Sequence, residues 1–219
     1  MPLIDRENRK YGHILITREV GGCWDDRLAN ALLIKAKDEK LKPECMGHLL
    51  SDLLDHKVDE ARAFAESLVP LPPPSSGDGR CRAVVTARVL MTHAKDAGWS
   101  ILWPAFQQDA EFGREVILGV ACSSDWPWPV GSIRQRLTEY QLADLYIWLV
   151  QQYPHAEDPK HEGVHTVGPR ESVTEFRDSV LRHLRERGTH EACEAIRRIA
   201  SELPELEWLK WALLEAKNV

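Results

Sequence analysis

Residues 138–152 read TEYQLADLYIWLVQQ, and this stretch decides the fold. Leu142, Leu145, Tyr146 and Leu149 recur at i, i+3, i+4 and i+7, the spacing that places them on one face of an α-helix. Thr138 with Gln141 three residues later is a capping box: each side chain accepts a backbone N–H that the helix start leaves unpaired. Pro154 cannot continue the helix, and it pushes Tyr153 out of helical geometry. The segment thus carries its own start, buried face and stop.

The same pattern repeats along the chain. Met46, Leu49, Leu50, Leu53 and Leu54 follow Pro43, a residue suited to a first helical turn. Val173, Phe176, Val180, Leu181 and Leu184 form a stripe that ends at Gly188, the expected residue just past a helix. Thr189 caps a helix buried through Cys193, Ile196, Ile199 and Leu203. Pro204 is expected to open the last helix, with Leu206, Leu209 and Leu213 on one side and Trp208 and Trp211 on another. Further helices are expected at Asp26–Lys40, Val58–Val69, Cys81–Ala97, Ser100–Gln108 and Ala110–Cys122. The one β-prone run is HILIT at 13–17, which a helix start explains equally well.

The predicted class is therefore all-α. Leu41–Lys42, Asp55–Lys57 and Gly188 are short links, so neighbouring helices should form antiparallel hairpins. We expect these hairpins to stack as a short HEAT-like α-solenoid, with a compact helical bundle as the competing arrangement. Val69–Arg80 (VPLPPPSSGDGR) reads as an extended, mobile linker. It would separate hairpins in 1–69 from a helical-repeat region in 81–219, or else interrupt one continuous domain. Ser123–Gln135 and Pro154–Arg170 read as longer loops.

Composition narrows the function classes. The 219 residues hold 28 Lys and Arg against 34 Asp and Glu, a net charge of -6. An acidic balance argues against generic nucleic-acid or anionic-membrane binding, which needs surplus cations. No apolar run is long enough to span a bilayer. The charged N-terminus does not resemble a signal peptide, so a cytoplasmic location is expected. The five cysteines lack any CxxC spacing and read as reduced thiols.

Chemistry-bearing motifs are few. His161-Glu162-Gly163-Val164-His165 matches HExxH, in which two His one helical turn apart hold zinc and the Glu acts as general base. Pro159, Gly163 and Gly168-Pro169 break the helix that geometry requires, so a polar loop is preferred over a zinc-dependent hydrolase. His155, His161 and His165 are the weaker candidate metal ligands. Gly163–Arg170 has P-loop glycine spacing without its Lys or Ser/Thr, so nucleotide binding through this chain is not expected. Cys45 and His48 share a helix and read as structural. No catalytic residue, cofactor or metal is assigned. The arginines of the last third (Arg170, Arg177, Arg182, Arg185, Arg187, Arg197, Arg198) alternate with acids and read as a solvated, salt-bridged face, with Asp178–Arg182 an i, i+4 ion pair. Nucleic-acid binding there is the lesser alternative.

Eight tryptophans remain. Trp148 lies beside its helix's core stripe, and Trp99 and Trp103, at i and i+4, are expected to brace one helix against the next. Trp126 and Trp128 alternate with prolines in a locked loop, either a plug on the core or a partner anchor. Trp208 and Trp211 fall on the last predicted helix; were this the end of a longer array, that helix's outer face would meet the next repeat. Trp126, Trp128, Trp208 and Trp211 are therefore the candidate contacts to a protein partner.

Several strings occur in a familiar order. Arg82-Ala83-Val84-Val85 leads to His93-Ala94-Lys95-Asp96-Ala97-Gly98-Trp99, then to Trp103-Pro104 and Phe112-Gly113-Arg114. Leu145 to Val150 precedes Tyr153-Pro154. Phe176-Arg177-Asp178-Ser179 is followed by Arg187-Gly188-Thr189 and Leu203-Pro204. This order, covering Asp26 to the C-terminus, resembles the C-terminal helical region of large bacterial proteins carrying a NACHT-type STAND nucleotidase module, several of them linked to antiphage defence. The resemblance implies helical repeats that sense or dock a partner. Neither the nucleotidase nor a nuclease motif is present in this sequence. The resemblance therefore points to a sensor-like piece, a partner subunit or a truncated product, and it carries over no catalytic residue.

Overall fold

A computed structural model describes residues 2–10, 23–122, 130–160 and 167–216. Among them every regular element is helical and none is a strand. The helices are α1 (Pro2–Lys10), α2 (Asp26–Ala36), α3 (Pro43–Asp55), α4 (Asp59–Ser67), α5 (Gly77–His93), α6 (Trp99–Gln108), α7 (Ala110–Ala121) and α8 (Val130–Arg136). They continue with α9 (Glu139–Gln152), a 3-10 turn (His155–Glu157), α10 (Pro169–Arg187), α11 (His190–Glu202) and α12 (Leu209–Ala216). The chain falls into two compact units, Met1–Val116 and Ile117–Val219. The all-α expectation holds.

In the first unit, Asp25 caps α2 by accepting the Leu28 N–H at 2.7 Å, and Pro43 occupies the first turn of α3. Leu49, Leu50 and Leu53 are fully buried where α3 packs against α5, each contributing roughly 1.5–3 kcal/mol from area removed from water. Helices α3 and α5 approach closely at Gly47: a Cβ there would lie 2.5 Å from Val85 Cγ1. The Pro-rich segment differs from expectation at its end. It is not helical through Ser76, but α5 begins at Gly77 and includes Arg80. The guanidinium of Arg80 explains the early start. It is 7% exposed, ion-paired to Asp109 at 2.5 Å and Glu115 at 3.0 Å, hydrogen-bonded to the Pro74 carbonyl, and packed over the Phe112 ring. The Pro-rich turn is thereby tied into the first unit and does not separate two units. Trp99 and Trp103 stack on each other with ring centroids 4.8 Å apart.

In the second unit, α9, α10, α11 and α12 pack on one another. The capping box is formed: Thr138 Oγ1 accepts from Gln141 N, and Gln141 Oε1 accepts from Thr138 N. Leu142, Leu145, Tyr146 and Leu149 are fully buried, and Trp148 is buried beside them. Gly188 ends α10 in the left-handed region at φ +61, which glycine adopts without strain. Thr189 caps α11 through Ala192 N. The last helix is shorter than expected. Pro204 does not open it. Residues 204–208 form turns closed by Leu206 N to Leu203 O and Leu209 N to Leu206 O, and α12 begins at Leu209. Trp208 precedes the helix and Trp211 lies on it.

Candidate functional site

The second unit brings an unexpected set of residues together. Arg177 was expected on a solvated face, yet it is 0% exposed. Its Nε donates to Asp178 Oδ1 at 2.9 Å, Nη1 to the Tyr153 carbonyl at 2.7 Å and Asp158 Oδ1 at 3.1 Å, and Nη2 to Asp158 Oδ2 at 2.6 Å. Asp178 therefore pairs with Arg177, not with Arg182 as the i, i+4 spacing suggested. Burial alone would raise the Asp158 carboxyl; the Arg177 hydrogen bonds outweigh it and hold the group below the ordinary carboxylate range. Thr174 Oγ1 and Arg170 Nη2 also donate to Asp158, at 3.1 and 3.3 Å.

His155 extends this cluster toward the surface. Its Nδ1 lies 3.4 Å from Asp158 Oδ2 and its Nε2 lies 3.3 Å from the Tyr146 hydroxyl. Burial, reinforced by the nearby Arg177 charge, lowers its pKa below 6.5, so the ring is neutral at pH 7. An ionised Asp158 only accepts, which assigns the ring proton to Nδ1 and leaves Nε2 to accept from Tyr146. His155 is thus absorbed into a structural hydrogen-bond chain. Its edge meets the Trp208 ring with centroids 5.6 Å apart and planes at 87°.

Beyond Trp208 the molecule is open. Trp208 is 41% exposed, Trp211 70% and Leu214 50%, while Leu209 and Ala212 on the same helix are buried. Trp208 and Trp211, with Glu205 and Glu207, line a shallow concavity of about 630 Å³. A second hollow, about 270 Å³, is lined by Arg134, Arg182, Ser172, Glu175, Phe176 and Ser179. The hydroxyls of Ser172 and Ser179 already donate to the Gly168 and Phe176 carbonyls, and Glu175 opposes an anion. This hollow presents no set of groups converging on one ligand.

The remaining candidates are placed as follows. Trp126, Trp128, His161, Glu162 and His165 lie outside the described residues, as does the run at 13–17. Among the described residues no group of three or more His, Cys, Asp or Glu is arranged to hold a metal. Cys45 is fully buried, and desolvation pushes its thiol up to about 11, far from a reactive thiolate. The last-third arginines are largely engaged within the unit: Arg187 with Glu139 at 2.8 Å and with the Arg134 and Leu137 carbonyls, Arg197 with Glu194, and Arg198 with Asp144. Sequence reading missed Asp158 and the two glutamates beside the tryptophans, and it placed Tyr146 in the core without its contact to His155. For Arg177 the signal existed, since it falls four residues after Val173 and three before Val180, on the buried stripe itself.

No helix among the described residues is long and apolar enough to cross a membrane. Comparison with protein-family models, with curated proteins and with solved structures gives no match. The fold and the site define the class that can be stated: an all-helical protein with an exposed aromatic end face.

Proposed function

We propose that this chain is a non-enzymatic helical interaction module, stacked in HEAT-like fashion and sensor-like in the sense that its resemblance to NACHT-type STAND proteins implies. It docks a protein partner through Trp208 and Trp211. The observation that carries this reading is the exposure of two indoles beside an open concavity, on a helix whose other side is sealed. Large aromatic side chains are the commonest anchors of protein interfaces, because they bury much area at low entropic cost. Internal pairing of most last-third arginines supports a protein partner over a nucleic acid, which needs free cations along one face. Trp126 and Trp128 are the second pair we assign to partner contact.

The test is quantitative affinity capture from the native lysate with the wild-type chain and with the W208A/W211A variant. The expected result is one or more proteins retained by the wild type and lost from the variant, at unchanged helical circular dichroism. Equal retention by both would remove the docking assignment. Stoichiometric zinc lost on His161→Ala would overturn the non-enzymatic part.

A further inference from the structure

We infer that the Trp208–Trp211 concavity recognises an arginine-bearing, otherwise apolar peptide segment of the partner. The guanidinium is held against the indole rings and the carboxylates of Glu205 and Glu207. This inference rests on the docking reading above and names the chemistry of what docks.

Four observations converge on it. First, among the described side chains the concavity is lined by two indoles and two carboxylates. Indole faces carry the negative side of the ring quadrupole and attract a cation placed over them. The carboxylates add formal charge of the same sign. A phosphate or an anionic lipid surface would be repelled by the same four groups. Second, Glu205 and Glu207 are exposed and have no ion-pair partner among the described side chains. Other carboxylates of this unit, Asp158, Glu139, Asp144 and Glu194, are matched to arginines. Third, Trp208 is already positioned by the edge of His155, so binding need not order that ring. Fourth, about 630 Å³ is within the range of sites that hold several side chains. Leu214, one turn beyond Trp211 and half exposed, offers apolar surface to residues flanking the arginine.

Arginine fits better than lysine. Its planar group stacks on indole, and its forked donors match a carboxylate in two places at once, whereas an ammonium is a compact, strongly hydrated point charge. The net charge of -6 steers a cationic segment toward the chain.

The test uses the full chain, isotope-labelled, with the indole N–H signals of Trp208 and Trp211 assigned from W208F and W211F. The probes are a capped acetyl-Ala-Leu-Arg-Leu-Ala-amide peptide and the same peptide with citrulline, the uncharged isostere, in place of arginine. The arginine peptide should shift both indole signals saturably, and the citrulline peptide should bind roughly five- to ten-fold more weakly. The E205Q/E207Q variant should bring the arginine peptide close to the citrulline level, with circular dichroism unchanged. Equal binding of the two peptides, indifference of the arginine peptide to E205Q/E207Q, or binding of neither would overturn the inference. The capture experiment with W208A/W211A would then stand or fall separately. Self-association of the wild-type chain that W211A abolishes in sedimentation would also overturn it, since a second copy would be the occupant.

Discussion

Arg177 on α10 is 0% exposed and Trp211 on α12 is 70% exposed, and these two helices pack together in one unit. By side-chain polarity alone their positions would be exchanged. The difference lies in their partners. The Arg177 donors meet Asp178, Asp158 and the Tyr153 carbonyl, so a buried charge is neutralised and hydrogen-bonded at every nitrogen. Around Trp211 there is open surface and an acidic rim. The first region is closed upon itself and holds the 153–158 segment onto α10. The second is open to solvent. That contrast separates residues that build the fold from residues free to contact something else.

The contrast breaks most decisively at Arg177. Arg177→Met removes the main partner of Asp158, which keeps only Arg170 and Thr174, and should lower the unfolding free energy of the second unit by about 3 kcal/mol, the lower end of the cost of removing one partner from a buried pair. Urea denaturation followed by circular dichroism measures it, and a loss below about 1 kcal/mol would show that the network is peripheral. Arg80 provides the matching probe in the first unit. Its partner Glu115 has a side chain 41% exposed and returns readily to water. Arg80→Ala should therefore cost less, about 1–3 kcal/mol.

Acid should act on the closed region and spare the open one. A histidine whose folded pKa lies below its ordinary 6.5 favours the fold in its neutral form. Its contribution is complete above pH 6.5 and declines as pH falls from there toward the lowered folded value. Asp158, held below its ordinary 3.8, contributes fully above that pH and loses its contribution as pH falls further, through the folded value. Stability of the second unit should thus decline in two successive phases. His155→Gln should reduce the first phase and slightly weaken the second, because the His155 charge helps Arg177 hold Asp158 down. It should not abolish the first phase, because burial and the nearby Arg187 and Arg134 charges lower His183 in the same sense. Urea midpoints across this pH range provide the check.

At the open end effects on stability shrink. Trp208→Ala removes the edge contact to His155 and should cost about 0.5–1.5 kcal/mol. Trp211→Ala should change stability by no more than about 0.5 kcal/mol while abolishing partner capture. A large loss of stability from Trp211→Ala would assign that ring to the fold.

Most of the helical pattern was readable because it is local. The stripe at Leu142–Leu149, the Thr138 and Thr189 caps, and the Gly188 stop each depend on residues within two turns, and each formed. Where distant residues decide, local reading failed. Arg80 draws the start of α5 back to Gly77 through Asp109 and Glu115, which lie far along the chain. Pro204 carries a valid helix-start signal, but the carbonyls of Leu203 and Leu206 are satisfied by turns instead. The charge of Arg177 suggests a solvated face, whereas its place on the apolar stripe between Val173 and Val180 fits the burial found. Its main partner, Asp158, sits in a segment whose sequence gives no periodicity. The exposed tryptophans were identified by their place at the chain's end, but Glu205 and Glu207 had no meaning until the turn before α12 set them beside the rings.

The close approach at Gly47 has a consequence for substitution. Alanine normally strengthens a helix interior by about 1 kcal/mol over glycine. At Gly47 the added carbon would press on Val85, a β-branched side chain with little rotamer freedom to withdraw. Helix propensity and interhelical distance therefore oppose each other at this one position. A single methyl group there acts as a gauge: the sign of the stability change reports how far α3 and α5 can separate.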